Sequence, residues 1–181
     1  MKIEDILYFA PGIKFSEVDL NGPKLPGQFR VRVAEFYLVP AQKCVEAKHA
    51  FAAGVLLVSC IDTLAYMRFG GRAGKRFKRF TREQLLSFSS DDLASHFYDD
   101  FRNGLIHEGR LKKGGQFSLD IKRTVILSDG ILIVNPTCLA QETSAALRSY
   151  VHLLQMDNAE RKKLAERLNK DLSEEFRAVR G

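Results

Sequence analysis

Residues 51–64 read FAAGVLLVSCIDTL, apolar nearly all round any helix drawn through them, inside a helical pattern that runs over 41–68. A helix without a polar face has to be enclosed, so this segment is expected to be the central helix of a bundle. Asp62 is the one charge in the run. An unpaired carboxylate among apolar side chains costs several kcal/mol or more. Asp62 therefore either meets a cation, for which an arginine of the site described below is the candidate, or lies at a solvated edge.

The flanking chain has to supply the enclosure, and at 45% apolar content over 181 residues it can bury one core. Gly12, Gly22, Pro23, Pro26 and Gly27 interrupt any regular element at the start, so residues 1–27 are expected to form an irregular arm ahead of a single domain at 28–181. In 28–39, Phe29, Val31 and Val33 alternate as in a strand, whereas Phe29, Val33, Phe36 and Tyr37 keep helical spacing, and helix is preferred. Pro40 either kinks that helix or opens the next. Thr81 with Gln84 fits a capping box, and Ser89 or Ser90 before Asp91 and Asp92 starts a further helix. Along it Leu93, Phe97, Phe101 and Leu105 form an inward stripe, with Tyr98 and Arg102 on a neighbouring face.

After a turn at 113–115, FSLDI and RTVILSDGILIVN read as strands, and Asp129-Gly130 marks a hairpin. A β insertion is expected at about 116–135. Thr137 is the expected cap of a helix with Leu139, Ala146, Leu147, Tyr150, Val151 and Leu154 inward. Asp157 with Glu160 caps a final charged helix, whose seam of Leu164, Leu168, Leu172 and Phe176 suits one neighbour or a second subunit. The expected fold class is mainly α, an up-and-down helical bundle with a small antiparallel β-hairpin insertion.

A net charge of +6 makes nucleic acid the first candidate partner and an anionic membrane surface the second. Residues 69–82, FGGRAGKRFKRFTR, open with a Gly-Gly helix stop and carry Arg72, Lys75, Arg76, Lys78, Arg79 and Arg82 without an acid. They form either a phosphate-holding patch with Phe77 and Phe80 stacking or anchoring it, or a solvated loop with both rings in the core. GGRAGKR is not a phosphate loop: it is one residue short, follows a helix, and has Arg76 where a hydroxyl should bind magnesium. The first apolar run contains acids, so neither a signal peptide nor a membrane span is read there, and a cytoplasmic location is expected. Cys44, Cys60 and Cys138 are odd in number and far apart, as packing cysteines are, and neither CxxC nor HExxH occurs, so no metal or cofactor is expected.

The candidate site is FRNGLIHEG, residues 101–109. His107 suits proton transfer near neutral pH, Arg102 suits the non-bridging oxygens of a phosphodiester, and Asn103 suits orienting either. Asp62, Tyr98 and Glu108 are the supporting residues. On a continuous helix five residues turn the chain by about 500°, leaving Arg102 and His107 ~140° apart. Either the helix breaks at Asn103-Gly104, or each residue works with its twin from another subunit.

RNGLIH at 102–107 matches the arginine-x4-6-histidine motif, with a polar residue directly after the arginine, that marks the HEPN superfamily. The order of elements is similar as well, an apolar helix, a basic segment and a phenylalanine-rich helix leading into the motif, over roughly 29–154. The resemblance implies a helical bundle that dimerises with its motifs facing each other, and a metal-independent endoribonuclease using Arg102, Asn103 and His107. It implies RNA as substrate and, as in many prokaryotic members, a role as a toxin or in defence, with an antitoxin protein as a further partner and no membrane. Other members only bind, so the alternative is a catalytically silent dimer that binds RNA, a nucleotide or a protein. The hairpin at about 123–135 departs from the family pattern, as does the lack of a fused nucleotidyltransferase within these residues.

Overall fold

The computed structural model describes residues 2–3 and 6–179. The protein is mainly helical, a helical bundle carrying a small antiparallel β hairpin, as expected. Its internal contacts fall into two units, residues 1–36 with 147–181, and residues 37–146.

In the first unit the residues expected to be irregular pair as strands. β2 (Ile6–Ala10) lies antiparallel to both β1 (Lys2–Ile3) and β3 (Ile13–Lys14). Gly12 has φ 75°, a left-handed conformation that glycine adopts without strain, so it makes a hairpin turn where the sequence suggested loss of order. Pro26 likewise does not break structure. It sits in the first turn of α1 (Leu25–Val33), where a missing N–H leaves no helical bond unmade. Phe29 meets Tyr150 edge-on at 6.0 Å, and Phe15 contacts Phe9 at 5.7 Å and Phe176 at 5.1 Å. Helix α8 (Asn158–Asp171) begins where Asp157 accepts hydrogen bonds from the N–H groups of Ala159 and Glu160, as expected. Its Leu164 and Leu168, with Phe176 of α9 (Ser173–Ala178), are buried within the unit, which therefore takes up most of the apolar seam that suited a neighbour or a second subunit.

The second unit is built on α3 (Ala50–Phe69). A π-helical turn (Ala34–Leu38) leads into α2 (Val39–Glu46) with Leu38 itself helical, so Pro40 lies just after a π-helical distortion in a continuing helix, the distortion expected where a proline removes an i−4 hydrogen bond. The single helix expected over 41–68 is in fact two. The chain reverses at 47–49, where Lys48 takes φ 60° and the His49 N–H reaches the Cys44 carbonyl at 2.7 Å. Residues 46–49 are solvent-exposed, so a reversal there uncovers no apolar group and lets α2 fold back on α3. Helix α3 has the length and apolar content of a membrane-crossing helix, with half of its most apolar window buried inside the protein. It stops at Gly70 and Gly71, both left-handed, as the Gly-Gly pair predicts.

The basic segment is a helix, α4 (Ala73–Gln84), not a loop. Phe77, Phe80 and Thr81 share its buried face, Lys75, Arg79 and Arg82 are exposed, and Arg76 lies between the two, mostly covered. Thr81 therefore caps nothing; it lies inside the helix, and the chain passes from Gln84 into a 3-10 turn at Leu86–Phe88. The next helix, α5 (Asp91–His96), is capped by Ser90, whose Oγ accepts the Leu93 N–H at 3.1 Å.

The sheet has the order β4 (Gln116–Phe117), β6 (Ile131–Val134), β5 (Val125–Ser128). β5 and β6 form the expected hairpin, turned by Asp129 and Gly130 at φ 52° and 75°, while β4 joins β6 in parallel and takes only Phe117 from FSLDI. A Cβ on Gly54 of α3 would collide with the ring of Phe117, so this glycine sets how closely β4 approaches the helix. Helix α7 (Pro136–Met156) is capped by Asn135, whose Oδ1 accepts the Thr137 N–H at 2.8 Å; Thr137 is thus not the cap, because the helix starts one residue earlier at Pro136. All six side chains expected to point inward from α7 are buried.

The three cysteines are free, and Cys60 is wholly buried in α3. Burial pushes its thiol up from the ordinary range, which keeps it protonated and unreactive. Alkylation of the native protein at pH 8 is expected to leave Cys60 unmodified, and alkylation in denaturant to modify it. Peptide mapping by mass spectrometry reads both, and native labelling of Cys60 would contradict this packing.

Candidate functional site

The site is carried by three consecutive pieces, α5, a π-helical turn at Phe97–Arg102, and α6 (Asn103–Glu108). A row of rings fixes their inner side. Phe97 stacks on Phe88 at 4.6 Å and meets Phe77 at 5.6 Å, and Phe101 meets Phe97 at 5.4 Å and Phe117 at 5.1 Å. Phe97 and Phe101 are fully buried, while Leu93 and Leu105 at the ends of the stripe are half-buried.

Anchored in this way, the turn presents Arg102 to α3. Arg102 donates to Asp62 Oδ2 through Nη2 at 2.7 Å and Nε at 3.2 Å, and its Nη1 faces Asn103 Oδ1 at 3.4 Å. Asp62 thus has the cation that its apolar surroundings require. Its second oxygen lies 3.5 Å from Nη2 of Arg76, on α4. Each guanidinium lies near a tyrosine ring, Arg102 at 5.8 Å from Tyr98 and Arg76 at 4.9 Å from Tyr66. The structure therefore brings Asp62, Arg76, Tyr98, Arg102 and Asn103 together.

His107 and Glu108 stand apart from that cluster. The chain stays helical through Asn103-Gly104, and α6 ends only at Gly109, φ 65°. The expected break between Arg102 and His107 is therefore absent, and helical geometry leaves the two side chains ~140° apart. Gly104 has a different use. The chain doubles back over it, the Arg110 N–H reaches its carbonyl at 3.3 Å, and a Cβ on Gly104 would overlap the Arg110 carbonyl oxygen. His107 is exposed and has no hydrogen-bond partner among the described residues. Glu108 is bound by Lys112 and Arg110, each at 2.6 Å, and the Lys112 hydrogen bond with the Arg110 charge holds its carboxyl below the usual range. An open cleft of about 410 Å³ lies at this end of α6, bordered by Phe51, Gly109, Arg110, Gln116 and Phe117.

Most of the basic segment is neutralised. Arg76 is held by Asp62, Lys78 by Asp99 at 3.3 Å, Arg79 by Glu83 at 2.9 Å and Arg82 by Asp91 at 2.5 Å. Only Arg72 and Lys75 of the six are exposed without an ion-pair partner among the described residues. The sequence showed no acid within 69–82, but Asp62, Glu83, Asp91 and Asp99 arrive from outside that window.

Sequence reasoning missed Asp100, which is 2% exposed. His96 Nδ1 lies 3.1 Å from its Oδ2, Lys113 Nζ lies 3.4 Å from its Oδ1, and its carbonyl accepts the Lys112 N–H at 2.9 Å. The signal was present in the spacing: Asp100 follows Phe97 by three, and i+3 faces inward as well as i+4. No protein-family model, curated protein or solved structure matches the chain.

Three substitutions test this construction. Helix propensity alone has Gly104→Ala stabilising by about 1 kcal/mol. Overlap with the Arg110 backbone reverses the sign, so a loss of about 1–3 kcal/mol is expected in the urea midpoint. Asp62→Asn leaves two part-buried guanidinium groups without their anion and is expected to cost about 1.5–3 kcal/mol, whereas Glu83→Gln at the exposed Arg79 pair should cost no more than about 0.5 kcal/mol. Equal effects would refute the distinction.

Proposed function

We propose that this protein is a metal-independent endoribonuclease of the HEPN type, cytoplasmic, acting as a homodimer on RNA. The observation that carries the reading is a contrast between the last residue of the π-helical turn and the last turn of α6. Arg102 is fixed by Asp62 and Asn103, while the His107 imidazole is exposed and unengaged. Attack by an RNA 2′-hydroxyl on its own phosphodiester needs a base at that hydroxyl, an acid at the departing 5′-oxygen and positive charge at the phosphorane. Arg102 and Asn103 supply the charge and its orientation, and His107 the proton transfer. Because Arg102 and His107 point away from each other, each copy offers half a site, and a symmetric pair supplies two imidazoles and two guanidinium groups to one cleft. A role as a toxin or in defence, with an antitoxin partner, accompanies this reading.

The neutralised basic helix favours a second reading. A surface on which three of six cations hold acids of their own, Lys78, Arg79 and Arg82, attracts a polyanion more weakly than its sequence suggests, as suits a catalytically silent dimer that binds RNA, a nucleotide or a protein. The two readings separate in one assay. The purified protein is expected to cut single-stranded RNA in EDTA and leave 2′,3′-cyclic phosphate ends. His107→Ala and Arg102→Ala are each expected to lower the rate by roughly 10²–10⁴, the range for lost acid–base or oxyanion stabilisation. Cleavage that survives both changes rules the nuclease out, and binding without cleavage by the native protein selects the silent dimer.

A further inference from the structure

Asp62 holds two arginines where one would neutralise it. Arg102 engages Oδ2 through Nη2 and Nε, and Arg76 faces Oδ1 through Nη2 at 3.5 Å. Two guanidinium groups on one carboxylate leave the cluster a full positive charge in excess, and no second acid lies within ion-pair distance of either arginine among the described residues. The three side chains are only 12–18% exposed, so water screens that excess poorly.

The hydrogen-bond donors tell the same story. A guanidinium has five N–H groups. Arg76 places one on the Gly71 carbonyl at 2.8 Å and one towards Asp62, and its buried Nε has no acceptor. Arg102 uses Nε and one proton of Nη2 on Asp62 and one of Nη1 towards Asn103. Each arginine therefore keeps one uncommitted N–H on Nη1 and one on Nη2. The Gly71 carbonyl and the nearby Tyr66 ring restrain Arg76, and Asn103 and Tyr98 restrain Arg102, so neither has to be ordered when an anion arrives.

We infer that Arg76 is a second phosphate-binding residue, and that Asp62 is the positioning residue that holds it beside Arg102 as a two-arginine clamp for the non-bridging oxygens of a phosphodiester. The inference rests on the proposed action on RNA for the identity of its ligand. Arg76 then belongs to the site, and not to the outer face of α4 with Arg72 and Lys75. The clamp is composed on one chain from three elements, α3, α4 and the π-helical turn, and needs no second copy for its charge.

Binding of adenosine 3′-monophosphate, which requires no turnover, tests it by calorimetry, alongside RNA cleavage. Native protein is expected to bind the nucleotide, Arg76→Ala to weaken binding at least about tenfold, the loss of one charge-assisted contact, and Arg76→Lys to restore part of it. Asp62→Asn carries the sharper sign: removing an acid from a site that only repels anions would tighten binding, whereas loss of a positioning group weakens it. Thermal melting of each variant confirms that it is folded, and Arg79→Ala, on the same helix, controls for general loss of charge. Native affinity in Arg76→Ala overturns the role of Arg76, and tighter binding in Asp62→Asn overturns positioning. Native protein that does not bind the nucleotide overturns the clamp altogether. If nucleotide binding depends on Arg76 but RNA is not cut, the nuclease fails and the clamp stands. If RNA is cut and Arg76→Ala cuts it equally well, the clamp fails and the nuclease stands.

Discussion

A carboxylate near the middle of the most apolar helix in the chain has to be answered from outside that helix, and much of the second unit is arranged around the answer. Asp62 draws Arg102 from the π-helical turn and Arg76 from α4, so three elements converge on a few oxygen and nitrogen atoms. Hydrophobic burial of the ring-bearing faces brings α4 and the turn against α3 and sets their rotation only to within the width of those faces. The ion pairs specify it, because a guanidinium one helical position away would miss the carboxylate. Phe77 and Phe80 on the inner side of α4 and Arg76 beside them are one solution to both demands.

The motif helix is held from its other side by rings and by a second buried acid. Phe88, Phe97, Phe101 and Phe117 form a continuous aromatic row, and the buried Asp100, next to Phe101 in the chain, is contacted by His96 at 3.1 Å and Lys113 at 3.4 Å. The Lys112 N–H on the Asp100 carbonyl and the Arg110 N–H on the Gly104 carbonyl then fold the following loop back on the same helix. Arg102 therefore projects from the end of the π-helical turn, with the ring row on its inner side and the loop folded back over the α6 that follows. That restraint matters for any reaction that depends on a guanidinium being in place before charge develops, since preorganised charge requires no reordering in the transition state.

How much of this could be read from the residues depended on the range of the interactions. Local signals carried well: the Gly-Gly stop after α3, the Asp129-Gly130 hairpin, the Asp157 cap and the inward face of α7 all lie where their spacing put them. Where two local rules competed, the nonlocal contact decided. Thr81 satisfies a capping pattern, yet Phe77 and Phe80 need a helix that runs through it, and burying two phenylalanines outweighs a cap worth about 1 kcal/mol. Glycine was misread twice in the same way. By residue type Gly12 and Gly104 read as points where order is lost or the chain can bend, whereas one makes a hairpin turn and the other allows a close backbone approach inside a helix. In the site, Asp62 was legible as a charge in need of a partner, and Arg102 as its candidate. Asp100 was not, because counting by fours passed over the i+3 position, and Arg76 stood within a run of cations whose partners were distant in sequence.

The unbroken helix between Arg102 and His107 changes what kind of site this is. Had the chain bent at Asn103-Gly104, one copy would have contained arginine and histidine together, and the clamp of Asp62, Arg76 and Arg102 would have needed nothing more. Instead the cationic cluster is complete on one chain, while the imidazole lies on the opposite side of α6 from the group it would serve. If the protein is the proposed nuclease, charge stabilisation and proton transfer are separated within the protomer: the cluster would hold a phosphate in any assembly, but chemistry on that phosphate would require an arrangement that returns an imidazole to it. On the proposed nuclease reading, anion binding and turnover would respond to different perturbations. Changes at Asp62 or Arg76 would act on a phosphate within each copy, whereas disrupting the pairing of copies would remove the proton transfer and leave the proposed clamp intact.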